Sequence, residues 1–374
     1  MAVITEATIR ELTTIRGERA PITSCYLDVD GRRLVRQTDL EQEVSAVLRA
    51  ASERAALDES VRADLDRIER LIADGIDRSR TRGLAIFACS AEGIWRVIEL
   101  PVRVESRVLV DRAPAVGQLE ALLQQNEPLG VLLADSQRAR MFVFALGELV
   151  ERSEMFDELI RDEGPRGERD RGEIAPAIDE RVQQHLRSAA EVAFRVWQRH
   201  PYEHLVVGAP EALVGHLEDA LHTYLRDRLR GRIQVPVSAT HDDVLAAAQR
   251  IEAEVTRERE AALVERLRSA VASGRRGAAG LPAVVDALGD RRVDWLLVSH
   301  GYRESGWRCE SCGRLATLAT TGRRCSRCGA EMVAVDDVVE AVIEDALAQS
   351  CRVDICNGNA DLDVLGRIGA LLRF

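Results

Sequence analysis

The sequence predicts an α/β protein of three domains, and three observations carry that reading. Short apolar runs alternate with longer stretches whose apolar residues recur at helical spacing, the pattern of strands and helices in succession. At 374 residues the chain is longer than one core usually organises, since domains run about 100–200 residues. The alternation also restarts twice, which divides the chain into 1–125, 126–240 and 241–374.

In the first domain, ITSCYLDV (22–29) reads as a strand. Leu40, Val44, Val47, Leu48 and Ala51, then Val61, Leu65, Ile68 and Leu71, mark two helices. LAIFAC (84–89) and IWRVIEL (94–100) form a hairpin around 90–93, and 117–123 is a short helix. In the second domain, GVLLAD (130–135) and MFVFAL (141–146) are strands turned by 136–140. The segment 162–173, DEGPRGERDRGE, has no large apolar residue and reads as a solvated loop. Ile178, Val182, Leu186, Ala189, Ala193 and Val196 then stripe one helix, and HLVVGAP (204–210) enters a turn as a strand. Leu213, Leu217, Leu221 and Leu225 predict a helix over 211–229, and IQVPV (233–237) closes the domain as a strand. A charged helix over 241–272 leads into the third domain. There LPAVVDALG (281–289) is a helix with Pro282 in its first turn, and VDWLLVSH (293–300) is a strand. A cysteine-rich stretch follows, then a helix with Val335, Val338, Val342 and Ala346 on one face, and the short strand RVDIC. This order predicts a small α/β sandwich.

Composition narrows the chemistry. The chain contains no lysine, so its 51 basic residues are all arginine, against 62 acids for a net charge of -11. Schiff-base, P-loop-lysine and Ser-Lys chemistry are closed. Bulk coating of nucleic acid is excluded as well, because counterion release needs a cationic face, so any RNA contact must use local arginine patches. No apolar run approaches the roughly 18 residues that would span a bilayer. A cytoplasmic monomer with no membrane contact is expected.

Eight cysteines are present. Cys25 and Cys89 sit in apolar strand patterns and read as buried thiols, and a disulfide between Cys351 and Cys356 is not expected in a reducing compartment. Cys309, Cys312, Cys325 and Cys328 differ. They form C-x2-C-x12-C-x2-C, and each pair is followed by a glycine, Gly313 or Gly329. Two such knuckles place four thiolates at tetrahedral corners, which predicts a structural Zn(2+) in a zinc ribbon over 305–331. Four sulfurs close the shell and leave no open position for catalysis. His300 is a strand-end residue. Two weaker motifs read as structure: GRRGAAG (274–280) as a flexible turn, because no strand precedes it, and HDD (241–243) as a helix cap.

The final residues, GRIGALLRF (366–374), resemble the GGIGAILRY ending of archaeal and eukaryotic class-1 peptide chain release factors and of Pelota. The stretch 281–300 is similar to the opening of the same C-terminal domain, and the inserted ribbon resembles archaeal members. PLGVLLADSQRARMFVFALGELVER (128–152) resembles the start of their middle domain. The resemblance implies a release-factor-like architecture of three domains. The middle domain would be RNase-H-like, and the C-terminal one an α/β/α sandwich carrying the zinc ribbon.

The departures set the expected function. Where the family carries Gly-Gly-Gln, this chain reads GPRGERDRG (164–172), with neither a glycine pair nor a glutamine. The first domain lacks the NIKS decoding motif, and its helix–helix turn is RAALDES (54–60). The resemblance therefore implies the bacterial release-factor-like branch: a non-enzymatic, ribosome-associated translation factor that binds the A site in hibernation or rescue without releasing peptide. The alternative is a peptidyl-tRNA hydrolase working through a non-standard loop, and a zinc-containing RNA-binding module that never enters the ribosome is a third reading. Arg166, Arg169 and Arg171 are the candidate RNA-binding residues, suited to phosphate and base contacts. The resemblance also implies docking of a translational GTPase, such as elongation factor Tu, on the C-terminal domain.

Overall fold

The computed structural model describes residues 4–54, 58–156, 171–274, 276–319 and 324–374. The chain packs as two compact units, 1–125 with 260–374, and 126–259. The three sequence domains divide it more finely than this.

The first segment runs α1 (Glu6–Thr14), β1 (Ile22–Asp28), α2 (Gln37–Arg54), α3 (Glu59–Ala73), β2 (Gly83–Cys89), β3 (Ile94–Leu100), β4 (Arg107–Asp111) and α4 (Gly117–Gln125). Its sheet has the antiparallel order β3-β2-β1-β4. β1 and β2 are buried at every position; β2 is a continuous apolar run, whereas β1 also buries Thr23, Ser24 and Asp28. Leu40 and Val44 of α2 and Leu65 and Ile68 of α3 cover one face. Cys25 and Cys89 are buried free thiols, and burial pushes Cys25 up to about 12. α1 and β4 have no strong signal in the sequence. α1 is fixed by a reciprocal cap between Thr5 and Thr8, and all five residues of β4 are only half-buried.

The middle unit contains β5 (Leu129–Ala134), β6 (Arg138–Ala145), β7 (Glu148–Phe156), α5 (Arg171–Arg199), β8 (His204–Gly208), α6 (Glu211–Ala220), α7 (Thr223–Arg226) and β9 (Leu229–Arg232). The sheet order is β7-β6-β5-β8-β9, an antiparallel meander joined to two parallel strands, which is the RNase-H-like arrangement. Leu186, Ala193 and Val196 of α5 and Leu217 of α6 cover one face of this sheet. The start of α8 (His241–Ala272) covers the other with Val244 and Ala248.

Three expectations are corrected here. The helix over 211–229 breaks at Leu221, whose backbone is extended, and His222 restarts it by accepting from the Tyr224 N–H. The closing strand is Leu229–Arg232, not 233–237. The Ile233 N–H still donates to Val207, but Pro236 has no N–H with which to carry a ladder further. The cap of α8 is Thr240, whose Oγ1 accepts from the Asp243 N–H at 3.2 Å; Asp242 and Asp243 occupy the first turn.

The last segment adds β10 (Gly277–Ala279), α9 (Leu281–Gly289), β11 (Val293–Ser299), β12 (Gly306–Cys309), β13 (Leu315–Thr317), β14 (Met332–Val335), α10 (Val338–Ala348), β15 (Arg352–Cys356), α11 (Ala360–Val364) and β16 (Ile368–Leu372). The main sheet is β10-β16-β11-β15, with β11 and β15 parallel. Val284, Val285 and Leu288 of α9 and Val338 and Val342 of α10 pack on one face. Leu263, Val264 and Leu267 at the end of α8 pack on the other, completing the α/β/α sandwich. Two more readings change. The flexible turn at 274–280 contains the edge strand β10, paired with β16. Val335 belongs to β14, because Asp337 caps α10 by accepting from the Val339 and Glu340 N–H groups. The edge of β15 is closed within the same unit by Gln124 of α4, whose Oε1 accepts from the Ile355 N–H at 2.9 Å.

Candidate metal centre

β12, β13 and β14 form a separate three-stranded sheet in the order β13-β12-β14. It brings the two cysteine pairs together. The four Sγ atoms all lie within 4.8 Å of one another. Cys309 to Cys328 is 3.4 Å, Cys312 to Cys325 is 3.5 Å and Cys328 to Cys312 is 3.6 Å. A tetrahedron with metal–sulfur bonds of about 2.3 Å has edges of roughly 3.8 Å, so the cluster is close to the size such an ion needs.

Each knuckle is built the same way. Cys309 donates its N–H to Arg314 and accepts from Gly313; Cys325 donates to Ala330 and accepts from Gly329. Gly313 and Gly329 have φ of 73° and 72°, the left-handed region that glycine enters without strain. The glycine after each pair is therefore what turns the chain back and leaves the N–H groups aimed at sulfur. Cys309 and Cys325 are buried while Cys312 and Cys328 are exposed, so the site is half open to exchange from one side.

The sulfurs are electrostatically unequal. Burial acts to raise Cys325, but the N–H groups of Arg327 and Cys328 outweigh it and bring the thiol down to about 6. Burial likewise opposes ionisation of Cys309, yet hydrogen bonds from Cys312 and Ser311 hold it below the ordinary thiol range. Backbone amides thus do part of the work of keeping thiolates for a cation. His300 stands apart from this site: it follows β11, and its N–H donates to the Cys356 carbonyl at 2.8 Å.

The ribbon is tied to its unit through arginines. Arg308, beside Cys309, pairs with Asp111 of β4 at 3.4 Å and with Glu344 of α10 at 3.5 Å, and Arg314 pairs with Asp286 of α9 at 2.9 Å. Nearby, Arg107 of β4 pairs with Glu340 at 2.9 Å and Asp337 at 3.4 Å, with all three side chains at most 13% exposed. Burial raises Asp337 above the usual carboxylate range, Glu340 adds to this, and Arg107 opposes it. This buried charge network escapes a sequence reading because its members lie more than two hundred residues apart.

Of the candidate RNA-binding residues, Arg166 and Arg169 lie outside the described residues. Arg171 is the first residue of α5, with its side chain also outside them. No helix among the described residues is long and apolar enough to cross a membrane.

Residues 114–253 match the family model described as bacterial archaeo-eukaryotic release factor family 10. No curated protein matches the sequence. Three solved structures are similar at low identity. An archaeal translation termination factor is 15% identical, over 98% of this chain and 96% of that one, with a TM-score of 0.27. Archaeoglobus fulgidus Pelota is 18% identical over 78% and 79%, with a TM-score of 0.33. S. cerevisiae Dom34 is 9% identical over 78% and 79%, with a TM-score of 0.41. What the comparisons identify is the middle of the chain: residues 114–253 are similar to bacterial archaeo-eukaryotic release factor family 10.

Proposed function

We propose that this chain is a ribosome-associated factor that occupies the A site in hibernation or rescue and releases no peptide. One observation carries the reading. The matched segment contains the stretch between β7 and α5 where the family resemblance places Gly-Gly-Gln, and its sequence offers arginines and acids in that place. Hydrolysis of a peptidyl-tRNA ester needs a positioned water and donors for the developing oxyanion. Arg166, Arg169 and Arg171 instead suit phosphate oxygens and stacked bases, which holds a protein on rRNA without chemistry.

The four cysteines fit Zn(2+) in donor type, number and spacing, and the ion would act structurally, replacing a core that the ribbon is too small to build. A translational GTPase of the elongation factor Tu class is the proposed partner of the C-terminal segment. The family resemblance of that segment carries this reading; of the six acids in 331–349, Asp337, Glu340 and Glu344 are buried against arginines and add nothing to its surface.

Two measurements on the same preparation test this. Co-sedimentation with ribosomes should retain the protein, and labelled peptidyl-tRNA on those ribosomes should keep its peptide. Efficient peptide release would replace the reading with the hydrolase one. Failure to sediment at low salt would remove ribosome binding altogether.

A further inference from the structure

Four aromatic rings lie nearly parallel on the middle unit. Phe194 and Trp197 stand one turn apart on α5, with centroids 5.7 Å apart and planes 20° apart. His222, the cap of α7, and Tyr224 form a second pair, 5.2 Å and 22° apart. His222 lies over Phe194 at 4.0 Å and 16°, and Tyr224 adjoins Trp197 at 5.9 Å and 19°. The α5 pair is partly covered, while Tyr224 is 57% exposed and His222 is exposed.

The arrangement is held rigidly. Trp197 donates Nε1–H to the Tyr202 carbonyl at 3.2 Å. The Arg228 guanidinium sits 4.9 Å over the Trp197 ring and donates to the Tyr224 carbonyl at 3.0 Å. Arg226 donates to the Leu221 carbonyl at 2.9 Å, which fixes the turn from which His222 and Tyr224 project. An exposed ring that is already immobilised loses little entropy when a flat ligand covers it.

The surroundings select the ligand. Among the described side chains of the middle unit the exposed large apolar ones are Leu149 and Val150 of β7 and Tyr224, and β7 is the opposite edge strand from the β9 that follows α7, so an apolar protein partner has little beyond these rings to bury here. Residues 221–232 carry Arg226, Arg228, Arg230 and Arg232 against Asp227, and Arg232 is taken up by Glu218 at 2.6 Å, which leaves a local charge of +2 in a chain of -11. Parallel aromatic faces edged by arginine are the chemistry that holds unpaired bases and their phosphates.

We propose that His222 and Tyr224 form a stacking platform for the bases of single-stranded RNA, with Phe194 and Trp197 backing it and the neighbouring arginines contacting the phosphates. The platform uses no residue of segment 162–173 or of the cysteine cluster, and the proposal stands whether or not the protein enters a ribosome.

The test uses the full chain and a short fluorescent oligouridylate, followed by anisotropy, with an abasic strand of equal length as control. Wild type should bind the oligouridylate more tightly than the abasic strand. Tyr224→Ala and His222→Ala should each weaken that binding roughly 5- to 100-fold, and Tyr224→Trp should retain it. Tyr224→Leu keeps apolar bulk while removing the π-face and should behave like Tyr224→Ala, which separates stacking from simple packing loss. Equal affinity for the abasic strand, or wild-type affinity in both Tyr224→Ala and Tyr224→Leu, would overturn the proposal. Because no ribosome is present, that result leaves the ribosome-binding reading to its own test.

Discussion

Arg107→Ala probes the buried charges that join β4 to α10. At an effective dielectric of about 20, charges at the 2.9 Å and 3.4 Å separations to Glu340 and Asp337 attract by about 6 and about 5 kcal/mol before desolvation is subtracted. Removing the cation leaves two buried carboxylates that keep only backbone donors. Gly117 still donates to Glu340, and Val339 and the Glu340 N–H still donate to Asp337. The expected cost is about 3–5 kcal/mol, the range for breaking one side of a buried pair. In a unit of this size that lowers its melting temperature by roughly 6–20 °C, measurable by scanning calorimetry. The same substitution in a Glu340→Gln background should cost less, because one of the stranded charges is gone. A loss below about 1 kcal/mol, or strict additivity of the two changes, would refute the argument that this network is electrostatically coupled.

Cys312→Ser should abolish stoichiometric zinc, measured by elemental analysis, and lower the thermal stability of the unit that holds the ribbon; a metal-free wild type of unchanged stability would contradict the zinc assignment. Replacing Arg166, Arg169 and Arg171 together with alanine should weaken ribosome binding and reduce its log-log salt slope by at most about one per lost phosphate contact, with no change in any peptide-release rate. Glu344 is held well above the usual carboxylate range, chiefly by burial and then by Asp111 and Glu340. A raised acid pKa means the folded state keeps a proton that the unfolded chain releases. Its stabilisation is therefore full below about pH 4.5 and is lost as pH rises through the folded value, at about 1.4 kcal/mol per pH unit within that window. Glu344→Gln should flatten the fall in stability as pH rises above about 4.5 in urea unfolding, and an unchanged slope would contradict the assignment.

What the sequence reveals depends on how far apart the cooperating residues lie. The two knuckles are legible because each is a local turn of a few residues whose glycine and cysteines sit at fixed spacing, and only the pairing of the two turns is long-range. The runs Leu84–Cys89 of β2 and Leu296–Val298 of β11 are legible because burial on both faces leaves an unbroken apolar string. β4 and β10 are not, since a short, half-buried strand such as Arg107–Asp111 is indistinguishable from a loop until its partner β1 is known. The break at Leu221 defeats periodicity for a related reason. Leu213, Leu217, Leu221 and Leu225 keep a four-residue spacing, and Leu217, Leu221 and Leu225 are all buried, yet the last lies on a different helix. Helical spacing records which residues face the core; it does not record whether the backbone between them is continuous.

That break also explains why the stacked rings escaped a linear reading. In an unbroken helix over 211–229, His222 and Tyr224 would lie two positions apart, about 200° around the axis, and could not share a surface. The extended backbone at Leu221 and the cap at His222 bring the two rings side by side, and the 4.0 Å contact with Phe194 then sets their plane. The turn is therefore the element on which the platform depends. Replacing His222 with alanine removes both the cap and one ring, whereas His222→Asn keeps a capping side chain and removes only the ring. If the platform stacks bases, both variants lose affinity for the oligouridylate, and only His222→Ala also loses thermal stability. If His222→Asn binds RNA as wild type does, the imidazole serves the turn alone and Tyr224 must carry the stacking by itself.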